Sequence, residues 1–253
     1  MARISGRGRC VHCLRWVNQV TSDHVFPEAW YPKTTPADLE KWQVPACSDC
    51  NQCYGRIEAD LLLRIGLCTD PADLRSLGIS DSIHRSIDPA HAKNQRDREH
   101  RINRRRKLLS QLIPGHAVPS ESVFPGFGPY SDAASQDQIG IGLPKDAIEA
   151  LVQKIVRGIT YVLDSNYIED DHKIEIFFRH EAGAWPFQAV LGRFGRQHHR
   201  GPGILVTRAV PRDDPVSGIF EIEIWGRFKA WATVSPKVLP GNSEGLAGGG
   251  HQR

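Results

Sequence analysis

Four of the six cysteines fall into two C-x-x-C pairs, Cys10/Cys13 and Cys47/Cys50, and no other feature constrains the chain so tightly. Each pair presents two thiolates from one tight turn, and two such knuckles supply the four ligands of a tetrahedral zinc ion. A zinc held by four thiolates has no open coordination position. Cys10, Cys13, Cys47 and Cys50 are therefore expected to hold a structural Zn2+ that folds its surroundings rather than doing chemistry. Cys47, Cys50 and Cys53 also read C-x-x-C-x-x-C, which begins some iron–sulfur motifs, but the usual continuation beyond Cys53 is missing. Cys53 and Cys68 are read as packed thiols.

The rest of the composition is that of an ordinary globular chain, with 253 residues of which 40% are hydrophobic and 24% charged. Wholesale disorder, collagen-like and coiled-coil architectures are excluded on that basis. The longest apolar runs, such as residues 61–63 and 189–191, are too short for a bilayer, and the basic N-terminus has no apolar stretch after it. The expectation is a cytoplasmic chain with no membrane, in which thiols bind metal instead of forming disulfides.

Between the knuckles lie 33 residues, more than a compact zinc ribbon needs, and they contain Ser22-Asp23-His24-Val25-Phe26-Pro27. Asn51 follows directly on the second pair. Asp23 and Asn51 offer hard oxygen ligands that suit Mg2+ or Mn2+, and His24 has the near-neutral pKa of a general base. Neighbours on a regular strand point to opposite faces, so a distortion or a loop is needed for Asp23 and His24 to serve one site. Taken singly, each has a plainer reading: His24 as a hydrogen-bonded core histidine, Asp23 as a turn or cap, Asn51 as a helix N-cap.

Taken in order, these residues resemble the HNH endonucleases, the ββα-metal or His-Me finger family. In that family an Asp-His pair on a two-stranded hairpin is followed by proline, and in its zinc-knuckle branch a C-x-x-C turn leads into a helix that begins with His or Asn. DHVFPEAW and CSDCNQCYGRIEADLL match this order. The arrangement is similar to bacterial HNH endonuclease proteins and to phage junction-resolving endonucleases, and it covers residues 10–67, about a quarter of the chain. The resemblance implies a catalytic set of His24, Asp23 and Asn51, with Asp23 and Asn51 holding the catalytic divalent metal. It departs from the family at the middle Asn, whose place is taken by Trp42, so the group that orients His24 is open; a backbone carbonyl is one option. Glu58, two helical turns beyond Asn51, can reach such a site through water, or can belong to a solvated face or pair with Arg56 or Arg64.

The fold class expected is α+β: an N-terminal zinc-bound ββα-metal HNH domain over 1–68, then a C-terminal small α+β domain over 143–236 with one long helix and an antiparallel sheet. Strands are expected within 15–20 and at Val25–Phe26, followed by a helix from Asn51 to about Gly66. Residues 69–142 read as a basic helical connector and a Pro/Gly-rich linker, the latter over 114–142, and 237–253 as a disordered tail. In the second unit the 3.6-residue period predicts a helix over 145–163, and strands are expected at 174–178, 189–194, 203–210 and 219–228.

Eight cations fall within residues 93–107. Of these, Arg98, Arg101, Arg104, Arg105 and Lys107 are the candidate nucleic-acid contacts; the alternative is a solvated helix face. Arg193, Arg196, His198, His199 and Arg200 form a second basic cluster in what reads as a Gly-rich loop. Trp185, Trp225 and Trp231 are expected in the core or an interface. The net charge of +3 announces no global field, so any DNA-binding signal must be local. The function expected is a metal-dependent HNH endonuclease hydrolysing DNA phosphodiester bonds. The alternative is a non-catalytic zinc-knuckle nucleic-acid-binding protein. The C-terminal domain is expected to govern target choice or to bind a partner protein or a second copy as a homodimer.

Overall fold

The computed structural model describes residues 5–118, 137–178 and 183–237. Residues 1–4, the centre of the expected linker, residues 179–182 and the expected tail from 238 onward lie outside the described residues.

The chain begins with a hairpin in which β1 (Gly8–Arg9) pairs with β2 (Trp16–Val17), and the first knuckle is its turn. The Cys10 N–H donates to the Arg15 carbonyl at 3.0 Å, and Leu14 takes a left-handed φ of 63° to close the loop. A second hairpin follows. β3 (Thr21–His24) pairs antiparallel with β4 (Gln43–Ala46), and β4 runs straight into α1 (Ser48–Gly66), a ββα order. β2 falls within the stretch where the sequence pattern puts a strand, whereas β3 ends just before the expected Val25–Phe26 strand. Arg15 is consumed by the cysteine turn, and the ladder ends at His24, so Val25 and Phe26 plug the core beyond it, both 0% exposed. Helix α1 starts at Ser48 rather than Asn51 because Cys47 is its N-cap, with Sγ accepting from the Cys50 N–H at 3.4 Å.

Helix α2 (Ile79–Ile87) buries Ile79, Ile83 and Ile87 at i, i+4 spacing. Helix α3 (Gln95–Leu109) is the basic segment, capped by Asn94, whose side chain accepts from the Asp97 N–H. Where a linker was expected, β5 (Leu112–Pro114) pairs with β6 (Ile139–Ile141). Helix α4 (Lys145–Asp164) matches the period in its sequence, with Ile148, Leu151, Val152, Ile155, Val156 and Ile159 buried.

The remaining strands form one antiparallel sheet in the order β7 (His172–Phe177), β11 (Phe228–Pro236), β10 (Gly218–Ile224), β9 (Ile204–Ala209), β8 (Arg196–His199). Three sequence expectations are corrected here. Residues 189–194 are not a strand but the end of helix α5 (Trp185–Phe194), because Phe187, Val190 and Leu191 recur at helical spacing and pack with Trp231. Of the basic cluster read as a loop, Arg196, His198 and His199 lie on edge strand β8, and Arg193 lies at the end of α5. The expected strand over 219–228 breaks at Trp225 and Gly226, which take positive φ of 54° and 66°, and the chain returns as β11. Trp225 is held in that conformation by its indole, which donates to the Trp30 carbonyl at 2.8 Å.

The two faces of the sheet bury different partners, as strand alternation requires. Phe220, Ile222, Ile224, Ala230, Ala232 and Val234 join one large core with Val25, Phe26, Trp30, Val44, Leu61 and the apolar face of α4. The opposite face, carrying Ile219 and Trp231, packs with α5. Helix α4 lies between α1 and β4 on one side and β7 and β11 on the other. The knuckle unit and the C-terminal unit thus share one core rather than each closing its own. No helix among the described residues is long and apolar enough to cross a membrane.

The close approach of α4 to the hairpin depends on Gly158, where a Cβ would meet Val25 Cγ2 at 2.8 Å. Gly55, on the exposed side of α1, has nothing within 4 Å of a Cβ. Gly55→Ala should therefore raise stability by about 1 kcal/mol through helix propensity. Gly158→Ala should lower it, because overpacking by about 1–3 kcal/mol against a stiff, fully buried valine exceeds the same gain. Thermal melting of the two variants should move in opposite directions.

Candidate functional site

The two knuckles meet. The Sγ atoms of Cys10, Cys13, Cys47 and Cys50 all lie within 4.8 Å of one another, and Cys13 and Cys47 are 3.8 Å apart. Zinc–sulfur bonds of about 2.3 Å in a tetrahedron require sulfur–sulfur edges of about 3.8 Å, so the four cysteines can hold a metal such as zinc. The surroundings suit a negatively charged thiolate cluster. Cys47 and Cys50 sit at the positive end of α1, and the Arg15 guanidinium lies 3.4 Å from Cys13 Sγ. Burial pushes the Cys13 thiol up, but Arg15 and the neighbouring thiols outweigh it and hold it at about 6, whereas burial and the neighbouring thiols push Cys10 and Cys50 up. Cys53 lies exposed on α1, against the expectation of a packed thiol; Cys68 is partly covered, and burial raises it to about 11.

His24, Asp23 and Asn51 are near neighbours in the fold but do not converge on one point. The β3–β4 register is continuous, Asp23 opposite Val44 and His24 opposite Gln43, so no bulge turns the two side chains to one face. His24 is half-buried, and burial lowers its pKa below the ordinary imidazole value. Its Nε2 lies 2.9 Å from the side-chain amide of Gln43, whose other end is 2.6 Å from the Ser22 hydroxyl. Gln43, not a backbone carbonyl, thus orients His24. With the amide nitrogen toward His24, the imidazole proton sits on Nδ1. With the amide turned over, Nε2–H donates to Gln43 and Nδ1 carries the free lone pair; the Ser22 hydroxyl serves either arrangement. Trp42 is buried, and the Arg200 guanidinium stacks 4.4 Å from its ring centroid.

Asn51 lies in the first turn of α1, past the N-cap, and works as a brace. Its Nδ2 donates to Thr21 Oγ1 at 3.0 Å and to the Ser22 carbonyl at 3.3 Å, and the Thr21 hydroxyl in turn donates to the Ala46 carbonyl. Asp23 is 5% exposed, and both of its oxygens are taken. Oδ2 is 2.9 Å from His12 Nε2, and Oδ1 accepts from Lys154 Nζ at 3.0 Å. Burial alone would raise the Asp23 pKa, but His12 and Lys154 more than reverse it, so the carboxylate is held below its usual range. Lys154, 0% exposed on α4, also donates to Glu58, whose pKa burial raises.

Mg2+ or Mn2+ at Asp23 and Asn51 does not fit this arrangement. Each Asp23 oxygen already has a hydrogen-bond partner, and the ammonium group beside the carboxylate opposes a second cation there. His12 and Lys154 are the residues that sequence reasoning missed. His12 could have been found, since it lies inside the first C-x-x-C; Lys154 could not, because 131 residues separate it from Asp23.

The basic helix α3 divides in two. Arg101 pairs with Asp97 at 3.1 Å and donates to the Arg85 carbonyl, while Arg104 donates to the Ala59 carbonyl at 2.9 Å. These two arginines fasten α3 to α2 and α1. Arg98, Arg105 and Lys107 are exposed. Trp225 and Trp231 are core residues at 1% exposure, whereas Trp185 is 67% exposed. No family model matches the chain, and no curated protein or solved structure matches it either.

Proposed function

We propose that the protein is an HNH-type endonuclease that hydrolyses DNA phosphodiester bonds, with His24 as the general base. The observation that carries this reading is a partly exposed imidazole fixed by Gln43 on a ββα unit whose hairpin and helix are tied together by the four-cysteine cluster and by Asn51. With the Gln43 amide turned over so that Nε2–H donates to it, the free Nδ1 of a neutral His24 takes a proton from water; the water oxygen bonds to phosphorus, the P–O bond to the leaving oxygen breaks, and that oxygen takes a proton from solvent. Glu28 and Lys41, paired at 2.8 Å, both act electrostatically on His24, in opposite directions. Asp23 and Asn51 serve as scaffold in this scheme, and no step passes through a divalent metal.

A second reading, the zinc-knuckle nucleic-acid-binding protein without cleavage, is favoured by the closed ion pair at Asp23. One experiment separates the two. Zinc-loaded protein is incubated with supercoiled, linear, branched and single-stranded DNA, with and without added Mg2+ or Mn2+, and both binding and cleavage are followed. Binding without cleavage of any form under all conditions would leave the second reading standing.

On either reading the exposed cations of α3 should contribute affinity without sequence choice. Arg98→Gln, Arg105→Gln and Lys107→Gln should each flatten the dependence of log affinity on log salt, by about 0.9 for every phosphate no longer neutralised, and leave the fold intact. Arg101→Gln and Arg104→Gln should instead loosen α3. A salt slope that the three exposed substitutions leave unchanged makes the segment a solvated helix face.

A further inference from the structure

A single ammonium group, Lys154 Nζ, stands between two carboxylates from different elements, Asp23 on β3 and Glu58 on α1. It is carried there by α4, whose approach depends on the glycine one turn further along, Gly158, set against Val25. Lysine is rarely found fully buried, and its long stem costs side-chain entropy to fix. Here the stem is enclosed, the charge meets two acids, and the Tyr54 ring lies 5.7 Å from Nζ as a third contact. Two convergent carboxylates from a strand and a helix, backed by a histidine, are the oxygen-rich surroundings that a hard divalent cation takes. The chain fills that place with a cation of its own.

We propose that the Lys154 ammonium is the resident cation of the Asp23–Glu58 pair, closing it to divalent metal in the native chain and leaving a divalent-metal site when the ammonium is removed. Lys154 is then a positioning residue: it holds Asp23, and through Asp23 the strand that ends in His24, without metal. The cation assignment stands apart from the nuclease reading; only its consequence, cleavage that needs no added Mg2+ or Mn2+, rests on that reading.

The test is Mn2+ titration of the zinc-loaded full chain, followed by electron paramagnetic resonance and by thermal melting. Native protein should take up no Mn2+ that Asp23→Asn abolishes. Lys154→Ala should be destabilised, should bind one Mn2+ at least about ten-fold more tightly than the native chain, and should regain melting temperature as it does so. The double variant Lys154→Ala with Asp23→Asn should lose both gains. Lys154→Gln, which keeps an amide donor for one acid and an oxygen ligand for a metal, serves if the alanine variant does not fold. Two outcomes overturn the proposal: native protein that binds Mn2+ through Asp23, or Lys154 variants that manganese neither occupies nor restabilises, which would reduce Lys154 to an ordinary buried ion pair. DNA cleavage is read separately. Loss of cleavage under every condition counts against the nuclease reading and leaves the metal titration to decide the role of Lys154.

Discussion

Cys47→Ala should release the metal and unfold far more than the turn it sits in. Structural zinc sites contribute on the order of 10 kcal/mol of apparent binding free energy, comparable to the whole stability of a domain. Cys47 has two roles, since its sulfur belongs to the four-thiolate cluster and also caps α1. Losing it frees β4 from α1 and exposes the hairpin whose Val25, Phe26, Trp30 and Val44 belong to the same core as α4 and the sheet. The melt should therefore be a single transition shifted to much lower temperature, not the loss of an independent N-terminal unit with the C-terminal sheet intact. Chelation of the native protein should have the same effect. Metal analysis that finds one zinc per Cys47→Ala chain would contradict the ligand assignment. Two separate transitions, the upper one unmoved, would contradict the shared core.

On the nuclease reading, His24→Ala should reduce DNA cleavage by about 100- to 10,000-fold, the usual cost of removing a general base. Zinc content and DNA binding should persist, because the His24 side chain is only half-buried and its hydrogen bond runs to Gln43, away from the cysteine cluster. Gln43→Ala should have a smaller effect of the same kind, since it frees the imidazole to rotate without removing it. The pH profile carries a further check. The base form of His24 is the neutral imidazole, and burial lowers its pKa. Activity should therefore be full above the ordinary histidine value of about 6.5 and should fall only as acidification passes below it. Cleavage by His24→Ala at the native rate would move the active site elsewhere.

Much of the local structure was legible because it depends on short-range chemistry. The two knuckles are written in cysteine spacing, and α4 in apolar residues at 3.6-residue intervals from Ile148 to Ile159. The errors arose where the deciding partner is distant. Residues 189–194 are apolar apart from Gly192 and Arg193 and look like strand until Trp231 on β11 gives Phe187, Val190 and Leu191 a helical face to pack on. Residues 219–228 look like one strand until Trp30 captures the indole of Trp225 and bends the chain back. Gly226 was the one local cue to that turn.

The candidate site divides in the same way. Sequence alone determined which side chains can do chemistry: four thiolates in two knuckles, and His24 beside Asp23. Those properties reside in residue type and spacing, because thiolate affinity for zinc and imidazole basicity are intrinsic to the groups. Only the tertiary structure decided what each group is free to do. Asp23 and Asn51 have the oxygens of metal ligands, yet the first is paired with His12 and Lys154, and the second braces a strand through its amide nitrogen. The physical reason is that an ammonium from a helix far along the chain, once desolvated against a carboxylate, takes the position that a hydrated metal ion would need, and no local pattern records which distant charge arrives there.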